Sequence, residues 1–259
     1  MKIASWNVNS IKVRLPNLLR WLESFAPDVV MLQETKCMAD AFPTMELEAA
    51  GYHSAVVGQK SYNGVALLSR NPLENVQEGL PGDAEDSQAR YLEATTAGLR
   101  VASIYLPNGN PAPGPKFDYK LAWMARLRAQ AAALAAQEVP VVLGGDWNVI
   151  PQPVDCHDPA AWEGDALFRP ESRAAFRRIV HLGFTDAFRA LHPNATHAYT
   201  FWDYQAGAWQ RDNGIRIDHL LLSPQAADRL EEAGIDRDPR GWDKASDHTP
   251  VWCRLRHPA

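Results

Sequence analysis

The feature that most constrains this chain is a sustained alternation of short apolar runs with segments of helical period. Runs at residues 2–6, 28–33, 64–69, 99–106, 140–144, 216–222 and 250–255 have the length and bounding turn residues of strands. Between several of them the period changes. Leu15, Leu18, Leu19 and Leu22 share one face over residues 15–25, with Pro16 in a first turn. Residues 118–138 are rich in alanine, leucine and arginine, and 171–182 place Phe176, Ile179 and Val180 in a helical pattern. A short helix is expected over 224–233, stopped by Gly234. The mixture continues from end to end without a low-complexity linker or a fixed repeat, so residues 1–259 read as a single α/β domain. Two long connections, 107–117 and 151–170, are expected to be functional, because long structureless loops are uncommon in compact domains.

Composition narrows the function. Three cysteines (Cys37, Cys156 and Cys253) form neither a C-x-x-C pair nor a zinc spacing, which suits reduced thiols in a cytoplasmic protein. The start, MKIASWNVNS, lacks the apolar core of a signal peptide. No apolar run approaches the roughly 20 residues that span a bilayer, so no membrane association is expected. The net charge of −5, from 26 basic and 31 acidic residues, argues weakly against nucleic acid. A metal site that gathers carboxylates reconciles that charge with a local basic rim.

The chemistry sits at strand ends. Asn7 and Glu34 each end an apolar run, and one helical segment separates the runs. A strand–helix–strand unit is normally parallel, which brings both ends to one edge and makes the two residues neighbours. Asn7 as a helix cap and Glu34 as a turn residue is the plainer alternative. In VVLGGDWNVIP (141–151), Asp146 and Asn148 share a side of an extended segment after two glycines. An acidic oxygen beside an amide suits a hard cation or an attacking water. Asp218 lies in the apolar run GIRIDHLLLS, where a carboxylate is costly without a partner. The run ASDHTPVW supplies one: Asp247 and His248 point to opposite sides, so Asp218 is expected to orient His248 while Asp247 faces a metal. A histidine–aspartate link serving only the core is the alternative.

Taken together, MKIASWNVNS, PDVVMLQETK, GYHSAVVGQKSYNGVALLS, YLPNG, GGDWN, TFWDY, GIRIDHLLLS and SDHTPVW resemble the exonuclease III family of bacterial AP endonucleases, within the endonuclease/exonuclease/phosphatase superfamily. The resemblance spans nearly the whole chain. It implies a four-layered α/β sandwich of two mixed sheets face to face, with helices outside. It also implies Mg²⁺-dependent hydrolysis of DNA, with Mn²⁺ as a substitute, by a monomer acting on double-stranded DNA at abasic sites and 3′ ends. By the same resemblance Glu34 is the principal metal ligand, with Asn7, Asp146, Asn148, Asp247 and His248 around the ion. Asn9 stands where relatives often carry aspartate. Asp146 matches the residue that activates water, Asn148 one that binds the scissile phosphate, and Tyr105 a tyrosine beside the phosphate or leaving group. His248 serves as a neutral donor, a cation or the base. Asn108, Gln88, Arg90, Lys116 and Lys120 match positions that contact backbone phosphate. Phe201, Trp202, Ile215 and Ile217 resemble an apolar pocket for a flipped abasic sugar, and Trp209, Arg211 and Arg216 fit a loop that lies on a duplex. A phosphatase or phosphodiesterase of the same superfamily acting on a non-DNA phosphoester is the alternative.

Overall fold

A computed structural model describes residues 1–257. The chain begins with β1 (Lys2–Asn7), α1 (Ile11–Phe25) and β2 (Val29–Gln33), followed by α2 (Thr44–Ala49), β3 (His53–Val57) and β4 (Val65–Ser69). Next come β5 (Glu74–Glu78), β6 (Tyr91–Thr96), β7 (Leu99–Tyr105), α3 (Pro115–Ala135) and β8 (Val141–Asp146). The last part holds α4 (Pro170–Val180), β9 (Thr185–Asp186), α5 (Ala187–Leu191), β10 (Asp218–Leu222), α6 (Pro224–Ala227), β11 (Leu230–Ile235) and β12 (Val251–Leu255).

The strands form two six-stranded mixed sheets, ordered β11-β12-β1-β2-β4-β3 and β5-β6-β7-β8-β10-β9. Period-two alternation assigns each strand residue to a layer. Ile3, Val29, Met31, Val65 and Leu67 of the first sheet face Leu92, Val101, Val142, Leu220 and Leu222 of the second. The alternate residues of the first sheet, Ala4, Trp6, Val30 and Leu32, pack on Leu18, Trp21 and Leu22 of α1. Those of the second, Ala102, Ile104 and Leu143, pack on Trp123, Met124 and Leu127 of α3 and Phe176 of α4. The result is the expected α/β/β/α sandwich. No described helix is long and apolar enough to cross a membrane.

Several local expectations are corrected. The helix expected over 224–233 stops at Ala227, and Leu230–Ile235 joins β12 as a strand. Gly234 is part of that strand, where an added Cβ would meet the Trp252 ring at 2.7 Å. The helices at 118–138 and 171–182 each begin earlier, on prolines at positions 115 and 170 whose missing N–H costs nothing in a first turn. Strands β3, β5, β6 and β9 lie outside the expected runs. β5 is a largely exposed edge with a polar sequence, ENVQE, and carries no apolar signal.

Candidate active site

The site lies at strand ends where the two sheets meet. β1 and β2 pair in parallel with Asn7 opposite Gln33, so Glu34 emerges beside Asn7. In the second sheet β8 pairs in parallel with β7 and antiparallel with β10. That register puts Tyr105, Asp146 and Asp218 in one row across three strands. His248 enters from the segment before β12, and its Nδ1 lies 2.8 Å from Asp218 Oδ2. The partner that the buried Asp218 required is therefore present.

Asn7 joins the sheets. Its Nδ2 donates to Glu34 Oε1 at 2.9 Å and to Asp146 Oδ2 at 3.0 Å. Its own oxygen accepts the Asn9 N–H at 3.0 Å. The Asn7 amide thus holds the two carboxylates in place from between the sheets. Glu34 and Asn148 both have left-handed backbone, φ 51° and 45°, a conformation that costs L-residues roughly 1–2 kcal/mol and is often found at functional sites. Asn148 Nδ2 donates to the Leu106 carbonyl at 2.9 Å, while its Oδ1 lies 3.5 Å from Asn108 Nδ2.

Burial raises the Glu34 carboxyl, but the Asn7 N–H and the Lys36 ammonium 2.9 Å away bring it below its ordinary range. Burial pushes Asp146 up to about 7, with Asp218 and Glu34 adding to the rise and His248 opposing it. For His248 burial works downward, yet Asp218 and Asp146 carry the imidazole up to about 10. Its Nε2 is 3.6 Å from Asp146 Oδ2, so a proton held there faces the second carboxylate. Tyr105 is pushed well above its ordinary value by burial and the nearby Glu34 and Asp146 charges, so it remains a protonated donor.

One ligand atom each from Glu34, Asp146 and His248 lie within 4.8 Å of one another, a group that could hold a metal ion. Two carboxylate oxygens suit a hard divalent cation that keeps several waters. Asp247 was expected in this group. It lines the same cleft but lies outside the cluster, and its Oδ1 accepts from Asn9 Nδ2 at 3.1 Å.

The cleft holds about 320 Å³ and has two ends. Glu34, Tyr105, Asp146, Asn148 and His248 line the polar one. Phe201, Ile215 and Ile217 line an apolar slot and pack in one cluster with Trp162 and Leu167 of the 151–170 connection, Ile215 and Ile217 being almost fully buried. Trp162, Asp165 and Asn110 had no assigned role; only the length of their loops pointed to them. Asn110 Nδ2 donates to both Asp165 oxygens at 3.1 and 3.2 Å, tying the two long loops together. A larger groove of about 580 Å³ lies between α3 and α4 but contains no such cluster of carboxylates and imidazole.

Three expected substrate contacts are corrected. Trp202 is fully buried away from the slot, donating its indole N–H to Asp212 at 3.0 Å and packing edge-on against Trp209. Lys120 is 0% exposed, and its Nζ donates to the carbonyls of Asn108 (3.0 Å) and Asn148 (2.6 Å), so it braces the loops instead of reaching a phosphate. Arg216 is 1% exposed and pairs inward with Asp155 and Asp186. Arg90 is half-buried with its guanidinium 4.8 Å from the Tyr105 ring centre, and it donates to Gln88 at 2.7 Å. Asn108 is exposed and lines the cleft, and Lys116 is exposed.

A compact carboxylate–imidazole centre, held between two sheets by one amide, defines a phosphoester hydrolase of the metal-assisted kind. The profile of the Endonuclease/Exonuclease/phosphatase family matches residues 4–248. The chain is 34% identical to exodeoxyribonuclease III of Haemophilus influenzae over 267 aligned positions, covering 99% of this chain and all of that protein. It is also 34% identical to the DNA repair nuclease APEX1 of Danio rerio, covering 97% of this chain and 81% of that one. Among solved structures, an AP endonuclease from Archaeoglobus fulgidus superimposes with TM-score 0.95 at 37% identity, covering 98% and 99% of the two chains. The 3′ phosphatase NExo from Neisseria, bound to a product DNA hairpin, gives 0.97 at 39%, covering 99% of both. This chain belongs to the endonuclease/exonuclease/phosphatase family, on its exodeoxyribonuclease III side.

Proposed function

We propose that the protein hydrolyses phosphodiester bonds of double-stranded DNA, incising 5′ to abasic sites and trimming 3′ ends, with Mg²⁺ as the metal and Mn²⁺ as a substitute. On this reading it acts as a monomer and a single catalytic unit in the cytoplasm. The observation that carries the proposal is the joining, in one cleft, of the Glu34–Asp146–His248 centre to the Phe201–Ile215–Ile217 slot.

When bound, the cation offsets charge on the phosphate and lowers the pKa of water. Glu34 would hold it, and the Asn7 amide spaces that carboxylate from Asp146. Asp146, turned into the cleft and held by the Asn7 amide, takes the proton of the attacking water. His248, oriented by Asp218 through Nδ1, turns Nε2 into the cleft, where it donates to a phosphate oxygen. Tyr105 and Asn148 supply further donors beside the leaving oxygen and the phosphate. Asn108, Arg90 and Lys116 line the approach of the backbone. The slot receives the extruded sugar, since a base-free nucleotide is the cheapest one to flip.

The test is a ratio. Duplexes carrying one tetrahydrofuran abasic analogue, or a 3′ phosphate, are compared with and without EDTA for wild type and for Phe201→Ala, Ile215→Ala and Ile217→Ala. Each variant should lose about ten- to two-hundredfold in abasic incision relative to 3′ removal, from roughly 1–3 kcal/mol of lost apolar contact. An unchanged ratio in all three, on protein of recorded melting temperature, removes the slot from abasic recognition.

A further inference from the structure

Ile215 and Ile217 face the slot, so Arg216 between them points to the opposite side of the extended segment. It is 1% exposed there. Its Nε donates to Asp155 Oδ1 at 2.7 Å and its Nη1 to Asp186 Oδ2 at 2.9 Å, while its backbone N–H donates to the Asp155 carbonyl at 2.8 Å. Asp155 is likewise buried and accepts Arg189 Nη2 at 2.6 Å. His219 anchors the root of the same loop: its Nε2 lies 2.9 Å from the Val149 carbonyl, beside Asn148, and its Nδ1 lies 3.1 Å from Arg216 Nη1.

The loop that Asp155 fixes lines the same cleft and packs against Ile215 and Ile217. Immediately after it, Cys156 bridges Ile215, and the His157 N–H donates to the Gly214 carbonyl at 3.1 Å. The chain then runs on to Trp162, Asp165 and Leu167 in the cleft. Buried ion pairs add little stability over well-packed apolar residues of the same volume. What a forked guanidinium adds is direction, because two carboxylates on its fixed donors define where both segments stand.

We infer that Arg216 is a positioning residue whose paired contacts to Asp155 and Asp186 hold the 151–168 loop at the separation from residues 215–217 that sets the width of the slot. The consequence for substrate choice rests on the abasic-sugar reading given above. Loosening the clamp should let Trp162 move relative to Ile215 and Ile217 without touching Glu34, Asp146 or His248.

The test uses the full chain with Asp155→Leu/Arg216→Met, which keeps the site filled by apolar groups, and Arg216→Lys, which keeps the charge but not the fork. Amide hydrogen exchange over 151–168 and the ratio of abasic incision to 3′ removal are measured on each, with melting temperature. Faster exchange confined to 151–168 is expected in both variants, together with a ten- to hundredfold fall in the ratio, the scale on which small misplacements cost rate. Wild-type exchange and ratio in a folded double variant would overturn the clamp. So would full recovery in Arg216→Lys, which also decides the matter if the double variant does not fold. If wild type itself leaves the abasic duplex intact, the substrate reading falls while the exchange result still decides the clamp.

Discussion

Glu34 shows how a single residue can be legible in sequence while its environment is not. Its place at the end of an apolar strand was visible, but the Asn7 N–H and Lys36 ammonium that keep it ionised come from tertiary contacts. Glu34→Ala should demand more Mg²⁺, by at least the roughly ten- to hundredfold lost when an outer partner of a metal site is removed. Mn²⁺ should restore part of the rate. Normal activity of the variant at limiting metal excludes Glu34 as a ligand. His219 carries a different signature, unrelated to the reaction. Burial, helped by the Arg216 guanidinium, lowers it to about 4. With Arg216 donating to Nδ1, the neutral ring keeps its proton on Nε2 for the Val149 carbonyl. The folded pKa lies below the unfolded value, so the unfolded chain binds more protons between the two. Stability from this group is therefore complete above about 6.5 and is lost as pH falls through about 4, amounting to roughly 3 kcal/mol. Unfolding curves across that window should be less pH-dependent in His219→Gln, and equal slopes in both proteins would refute the assignment.

At the level of elements, β8 does most to place the chemistry. The run VVLGGD was readable as a strand ending in a carboxylate, and its two glycines suggested close approach of another backbone. That approach is from β7: a Cβ on Gly145 would lie 1.9 Å from the Ile104 carbonyl oxygen. Gly145→Ala must therefore displace β7 or turn the end of β8, moving Asp146 away from the Asn7 amide. A loss of about 1–3 kcal/mol in stability is expected, as for other overpacked interiors, with a fall in kcat beyond what the unfolded fraction explains. Retention of wild-type kcat and melting temperature would show that the strand pair can open without cost. Elements lacking an apolar signature were the ones sequence could not reveal. β5 is polar and exposed, and β11 reads as a helix until β12 offers it backbone partners.

Across the whole molecule, the active site exists because two sheets are held in register, and a buried polar bridge contributes to that register. Gln33 Oε1 accepts Ser5 Oγ at 3.2 Å within the first sheet, and its Nε2 donates to Ser103 Oγ of β7 at 3.0 Å. All three residues are fully buried. Gln33→Leu should cost about 1–3 kcal/mol by leaving two buried hydroxyls with fewer partners. Adding Ser5→Ala and Ser103→Ala should recover most of that stability, because removing both sides of a buried polar contact can be nearly neutral. The triple variant should still need more Mg²⁺ than wild type, since Asn7 and Asp146 belong to different sheets and their spacing depends on sheet register. Wild-type metal dependence in the triple variant would show that Asn7 alone sets the spacing.

By itself the sequence determined the alternation of strands and helices, the α/β class, the carboxylates and imidazole that end its strands, and the partnership of Asp218 with His248. These follow from periodicity and from the cost of burying an unpaired charge, both local properties of the chain. Only the tertiary structure decided which way each polar side chain turns. Arg216 and Lys120 look like surface cations in the sequence, but sheet pairing and loop closure bury them beside carboxylates and carbonyls. Trp202 and Ile215 are both apolar and close in sequence, yet one supports a loop and the other lines the cleft. Residue type records what a side chain can do, while its direction depends on contacts between segments far apart in the chain, and those exist only once the two sheets have packed.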